Sequence, residues 1–249
     1  MNSWAADLRT SVAFLTRLPM PHPHGPTPPD FARATRLFPL VGAAIGALIA
    51  ALCIGLRAAG VPDLAAAAMA LGAGALLTGG LHEDGLADVA DGFGGGTDRA
   101  RKLEIMRDSR LGTYGALILI VTFVTKLSAV AACRGEATVR GLIVAHALAR
   151  AVLPCMSMST AIARKDGLAA NAGRPSSTTV ATAVALGMGV VLVTFPLRLA
   201  LGAVLVTAAC AIGMVWLARR QIGGLTGDVL GATEQLSETA ILVLVASVH

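Results

Sequence analysis

Residues 79–96 read GGLHEDGLADVADGFGGG. Asp84, Asp88 and Asp91 stand at i, i+4 and i+7, the spacing that puts three side chains on one face of an α-helix. Like charges so spaced destabilise a bare helix. A divalent cation held between them reverses the sign, and hard carboxylate oxygens suit Mg²⁺ or Mn²⁺. Glu83 joins them as a metal-ligand candidate, and Asp98 closes the acidic window. The glycines that follow, Gly94 and Gly95 among them, let backbone amides approach a phosphate closely. Next come Arg99, Arg101, Lys102, Arg107 and Arg110, and guanidinium forks pair bidentately with phosphate. Acidic face, glycine run and basic cluster together point to a metal-bridged diphosphate site. A solvated loop of mixed charge explains the arginines, but neither the carboxylate spacing nor the glycine run.

The stretch 223–238, GGLTGDVLGATEQLSE, repeats the chemistry: a glycine-rich turn, Asp228, then Glu234 and Glu238 one turn apart. Acids at the mouth of an apolar segment are costly and usually functional, though dipole-compensating residues at a helix start are the plainer alternative. Asp228 is therefore a fifth candidate metal ligand. The candidate catalytic set is Asp84, Asp88, Asp91, Asp228 and the neighbouring His82. The candidate substrate-binding set is Gly94, Gly95, Arg101, Lys102, Arg107, Arg110 and Arg150. Arg150 lies within an apolar run, where a buried acid or a substrate phosphate would partner it. Lys126 does too, with snorkelling as its alternative. His22, His24, His146 and His249 carry no usable signal, and no nucleophile-elbow, zinc-protease or P-loop motif occurs.

These residues need a scaffold, and composition says which kind. The 249 residues are 55% hydrophobic and only 14% charged, against about a quarter charged in a soluble domain. This is an all-α, polytopic membrane bundle, read as one integral-membrane domain over 1–249. Aromatics at 4% leave no stacking surface for nucleic acid. Spans are expected at about 37–59, 64–81, 113–133, 139–162, 177–195 and 197–217, with a weaker seventh at about 229–248. The acidic window then falls in a loop, 82–112. Gly42 and Gly46 form a G-x-x-x-G that permits close helix contact. Pro62, Pro175 and Pro196 fall at or near the joints between spans, where a missing N–H does little harm. Cys53, Cys133, Cys155 and Cys210 lie in apolar runs with no C-x-x-C pair, as small buried residues. The N-terminus has no small-residue cleavage site and is not read as a signal peptide.

Loop charge tests this layout. Of 20 Lys and Arg residues, Arg57, Arg134, Arg140 and Arg198 fall in one alternate set of loops, and Lys126 and Arg150 within spans. The other 14 share the set containing the N-terminus. The positive-inside rule makes that set cytoplasmic. It brings the 82–112, 163–176 and 218–228 loops to one side, as a site assembled from separate loops requires.

DVADG at 88–92 resembles the D-x-x-D-G opening of the CDP-alcohol phosphotransferases, although the rest of their signature is missing. A closer resemblance covers nearly the whole chain. FLTRLPMP at 14–21, FPLVGAAIGA at 38–47, the 79–96 motif, RKLEIMRDSRLGTYG at 101–115 and GGLTGDVLGA at 223–232 look like the cobalamin synthase family. That resemblance implies a multi-pass inner-membrane transferase of cobalamin biosynthesis, dependent on Mg²⁺, with its active site facing the cytoplasm. Its substrates would be adenosylcobinamide-GDP and α-ribazole or the 5′-phosphate, membrane lipid its surroundings, and GMP the leaving product. A transporter would instead set its acids at the bilayer midplane on broken helices, and a passive scaffold would need no carboxylate face.

Overall fold

The computed structural model describes residues 3–21, 30–164, 167 and 172–248. His22, His24, Lys165 and His249 lie outside them. The described chain is helical: α1 (Ser3–Leu15), α2 (Phe31–Ala34) running through a short 3-10 turn into α3 (Phe38–Ala58), α4 (Asp63–Thr78), α5 (Leu81–Gly95), α6 (Arg99–Ile105), α7 (Thr113–Ala132), α8 (Glu136–Ser159), α9 (Ser177–Thr194), α10 (Leu197–Ile222) and α11 (Gly227–Ala246). Six segments are long and apolar enough to cross a membrane: Phe31–Ala58 and helices α7 to α11. Apolar flanks of these helices face outward, with Val193 91% and Ile212 70% exposed, as lipid-facing residues are.

The weaker last span is borne out and qualifies by itself as α11, whereas the expected second span does not stand alone. Its apolar part, α4, has only 16 residues and is followed by α5 at an angle of 89°. Taken as one bent pair they make a seventh span. The acidic window is therefore not the loop expected over 82–112. Residues 81–95 are the second half of a broken helix, packed inside the bundle.

The break is written in two glycines. Gly79 and Gly80 sit at φ 70° and 68°, the left-handed region that only glycine visits cheaply. Polar backbone freed by such a break must find partners within the protein. The Gly80 amide donates to the Ala75 carbonyl at 2.9 Å, and the Arg17 amide, beyond α1, donates to the Leu77 carbonyl at 2.7 Å.

From the break, α5 runs antiparallel to both α11 and α7. His82 lies beside Gly231 and Gly85 beside Asp228. A Cβ on Gly85 would stand 2.9 Å from the Asp228 carbonyl oxygen, so glycine sets how closely the two acidic segments approach. The G-x-x-x-G pair does the same for α3 and α8: a Cβ on Gly42 or Gly46 would meet the His146 or Leu142 carbonyl oxygen at 2.2 or 2.3 Å. At one end of the bundle the segments after α8 and α10 pair through their backbones. The Ala163 amide donates to the Leu225 carbonyl, and the Leu225 amide to the Ala161 carbonyl. Arg99 donates to the Ala163 carbonyl at 2.9 Å. The convergence expected of the cation-rich segments is thus observed. At the opposite end Arg57 holds the Cys133 and Val130 carbonyls and Asp63.

Candidate active site

Asp84, Asp88 and Asp228 form the acidic centre. Asp84 is exposed one turn into α5, and Asp88 is half-buried a turn further on. Asp228, in the first turn of α11, is held there by the N-terminal cap of Thr226. Asp88 feels the charges of Asp84, Asp228 and Asp91 against the opposing charge of Arg164. Arg164 reaches Asp228 at 3.4 Å. The two acidic motifs, some 140 residues apart, thus meet in space.

Asp91 has a different use. Its two oxygens accept the Gly112 amide at 2.7 Å and the Gly115 amide at 2.8 Å. It caps the start of α7 from a neighbouring helix, supplying partners that a helix N-terminus lacks. A Cβ on Gly112 or Gly115 would stand 2.3 Å from that carboxylate, which accounts for the LGTYG stretch. The glycines after Asp91 also have packing neighbours. Added Cβ atoms would meet Met106 at Gly92, the Tyr114 ring at Gly94 and Ile105, at 3.7 Å, at Gly95. They let α6 and α7 close on α5.

Glu83 points away from the aspartates. It lines a small interior cavity with Lys126, His146, Arg150, Gln235 and Glu238. These groups form a buried ion-pair network. Arg150 meets Glu234 at 2.5 Å, and Lys126 meets Glu238 at 3.0 Å and Gln235 at 2.7 Å. His146 Nδ1 lies 3.0 Å from Glu238, and His82 Nδ1 lies 3.3 Å from Glu234. His146, Glu234 and Glu238 bring ligand atoms within 4.8 Å of one another. Arg150 and Lys126 already supply positive charge there, so a further cation is disfavoured. The cavity, about 20 Å³, is large enough for one water to reach Glu83 Oε2 and His146 Nε2, both buried without a protein partner. Arg150 is thus the partner of a buried acid, and Lys126 is buried rather than snorkelling. The signal for this network was present: polar side chains at i, i+4 (His146 and Arg150, Glu234 and Glu238) within apolar spans.

The basic cluster does not line the cavities beside the aspartates. Arg101 pairs with Glu104 at 2.8 Å, Lys102 donates to Gln221, and Arg110 pairs with Asp108 at 2.6 Å. That last contact holds the exposed Asp108 carboxyl down at about 2. Arg107 is exposed. Among the described residues, the cation that lines a cavity beside the aspartates is Arg17, which the site candidates read from the sequence did not include.

Two cavities flank Asp84. One, of about 370 Å³, is mostly apolar and is bounded by Phe14, Phe31 and Phe38 as well as His82, Asp84 and Asp228. The other, of about 750 Å³, is bounded by Arg17, Thr16, Thr78, Gly79 and Gly80. Asp84 is the carboxylate on the walls of both.

Fold and site define a polytopic membrane protein with a broken-helix carboxylate centre between two cavities, an arrangement suited to joining two ligands. The chain belongs to the cobalamin-5-phosphate synthase family, whose profile matches residues 7–246. Curated relatives named adenosylcobinamide-GDP ribazoletransferase include those of Bradyrhizobium diazoefficiens, 46% identical over 97% of this chain and 94% of the relative, and Sinorhizobium medicae, 43% identical over 95% and 94%. That of Azorhizobium caulinodans is 40% identical over 96% and 94%. No solved structure matches. The family places the chain among the membrane transferases of cobalamin biosynthesis.

Proposed function

We propose that this transferase moves the adenosylcobinamide phosphate group from adenosylcobinamide-GDP to α-ribazole or its 5′-phosphate and releases GMP. It does so with Mg²⁺ at the cytoplasmic face of the inner membrane. The observation that carries this reading is the convergence of Asp84 and Asp228 on the lining of one cavity from two distant motifs, with Asp88 within reach of both their charges. The donor set fits magnesium: oxygen-only, anionic, with Asp88 and Asp228 supplying the one or two carboxylates the ion ordinarily takes. When bound, magnesium supplies charge neutralisation on the diphosphate and orientation of its oxygens.

The chain's own residues do the rest. A ribose hydroxyl attacks the phosphorus on the cobinamide side. The new phosphorus–oxygen bond forms as the bond to the bridging oxygen breaks, and GMP leaves with that oxygen and the electron pair. Asp84, on the wall between both cavities, accepts the hydroxyl proton as general base. Arg164 holds Asp228 in place. The charged network beneath, through Glu234 and Arg150, fixes the position of His82 at the cavity floor.

The test is turnover by purified protein in detergent with both substrates and a magnesium titration. Asp228→Asn should raise the magnesium concentration for half-maximal rate at least about tenfold, the scale on which even supporting partners of a metal act. An active Asp228→Asn enzyme with an unchanged magnesium requirement places Asp228 outside the metal site.

A further inference from the structure

Three of the chain's nine aromatic residues (6 Phe, 2 Trp and 1 Tyr) gather on one wall of the smaller cavity. Phe14 from α1 and Phe31 from α2 have ring centroids 4.7 Å apart, edge to face. Phe14 stacks on Phe38 at 5.7 Å with 5° between planes. Phe38 is buried, whereas Phe14 and Phe31 remain partly open. Such a cluster binds a further flat ring by stacking or by edge contact. The same cavity is lined by Asp84 and Asp228, with Thr35 and Ser157 as hydroxyls.

Size narrows the occupant. Ligand clefts and cavities run from roughly 300 to 1,000 Å³, so about 370 Å³ suits a nucleoside better than a corrin macrocycle. Polarity narrows it again. A guanine ring has donors and acceptors around its edge that would need partners, and the lining is mostly apolar, with Leu153, Pro154 and Pro175 joining the phenylalanines and Asp84, Asp228, His82, Thr35 and Ser157 as its polar side chains. A benzimidazole joined to ribose keeps only one acceptor, its second ring nitrogen, and no donor. The larger recess across Asp84, with Arg17 on its wall, suits the anionic donor.

Resting on the transferase reading above, we infer that the phenylalanine-walled cavity is the acceptor site. It takes the apolar aromatic base of a benzimidazole ribonucleoside, with Phe31 as a specificity-determining residue, and sets the ribose against Asp84 and Asp228. Binding of labelled α-ribazole is measured by equilibrium dialysis without donor, and KM is measured for each substrate separately. Phe31→Ala should weaken α-ribazole binding and raise its KM about tenfold, within the range found for removing a stacking ring. KM for adenosylcobinamide-GDP and inhibition by GMP should stay within about twofold. Phe31→Tyr should retain wild-type values, and Phe31→Leu, which keeps apolar volume without the ring, should behave as Phe31→Ala and serves in its place if that variant does not fold. A rise in donor KM, a weakened GMP inhibition, or unchanged α-ribazole binding overturns the inference. Tight dialysis binding lost in Phe31→Ala, with no turnover by the wild type, upholds the cavity and rejects the reaction.

Discussion

Asp84 and Asp91 share a helix face seven residues apart, yet their surroundings give them different tasks. Asp84 stands open between two cavities, while both oxygens of Asp91 are committed to amides at the start of α7. Asp84→Asn should therefore lower kcat by about a hundredfold or more, the lower range for loss of a general base, with an unchanged melting temperature. Asp91→Asn puts an amide NH₂ against a backbone donor and should cost about 0.5–2 kcal/mol, the worth of a helix cap, lowering the melting temperature in detergent. Thermal denaturation and turnover of the two variants separate these effects. A normal melting curve for Asp91→Asn would show that its amide contacts do not hold α7. At this scale the sequence revealed residue type and helical face. It did not reveal which carboxylate is consumed by a neighbouring helix, because that depends on contacts 21 and 24 residues away.

At the scale of elements, the length of the apolar runs located the spanning helices to within about five residues, since a span's length is set by the bilayer. It failed at α5, which is too polar to count as a span and so fell into the loop expected over 82–112, although its carboxylate spacing read as one helix face. A polar helix buried among others is legible only once its neighbours are known. Here Gly85, Gly231, Gly112 and Gly115 make room for it. The break that aims α5 rests on Gly79, where a Cβ would meet the Arg17 side chain and φ is already in the left-handed region. Gly79→Ala is expected to destabilise the fold by about 1–3 kcal/mol, the cost of a residue held in a disfavoured backbone region. Gly72 lies in the interior of α4 with nothing near its added Cβ. Gly72→Ala should be neutral or stabilising by up to about 1 kcal/mol. Melting temperatures of the two alanine variants in one detergent decide, and equal shifts would mean that the bend is not encoded at Gly79.

At the scale of the whole molecule, charge separation along the bundle predicts its orientation. The end that carries the Ala163–Leu225 pairing and Arg99 is rich in cations, and the end built on Arg57 and Arg134 around Asp63 has few. The broken helix and the charges at depth also belong to transporters, but here the deep acids are tied to Arg150 and Lys126, while Asp228 of the acidic centre pairs with Arg164, next to the Ala163–Leu225 pairing of the cation-rich end. The reaction proposed needs substrates delivered there, so that end should face the cytoplasm. Thr97 and Glu136 are both exposed and lie toward opposite ends. In a background without native cysteines, Glu136→Cys should react with a membrane-impermeant thiol reagent added to intact cells. Thr97→Cys should react only after the membrane is opened. Labelling of Thr97→Cys from outside would invert the bundle, and the acidic centre could then draw neither GMP-releasing donor nor magnesium from the cytoplasmic pool.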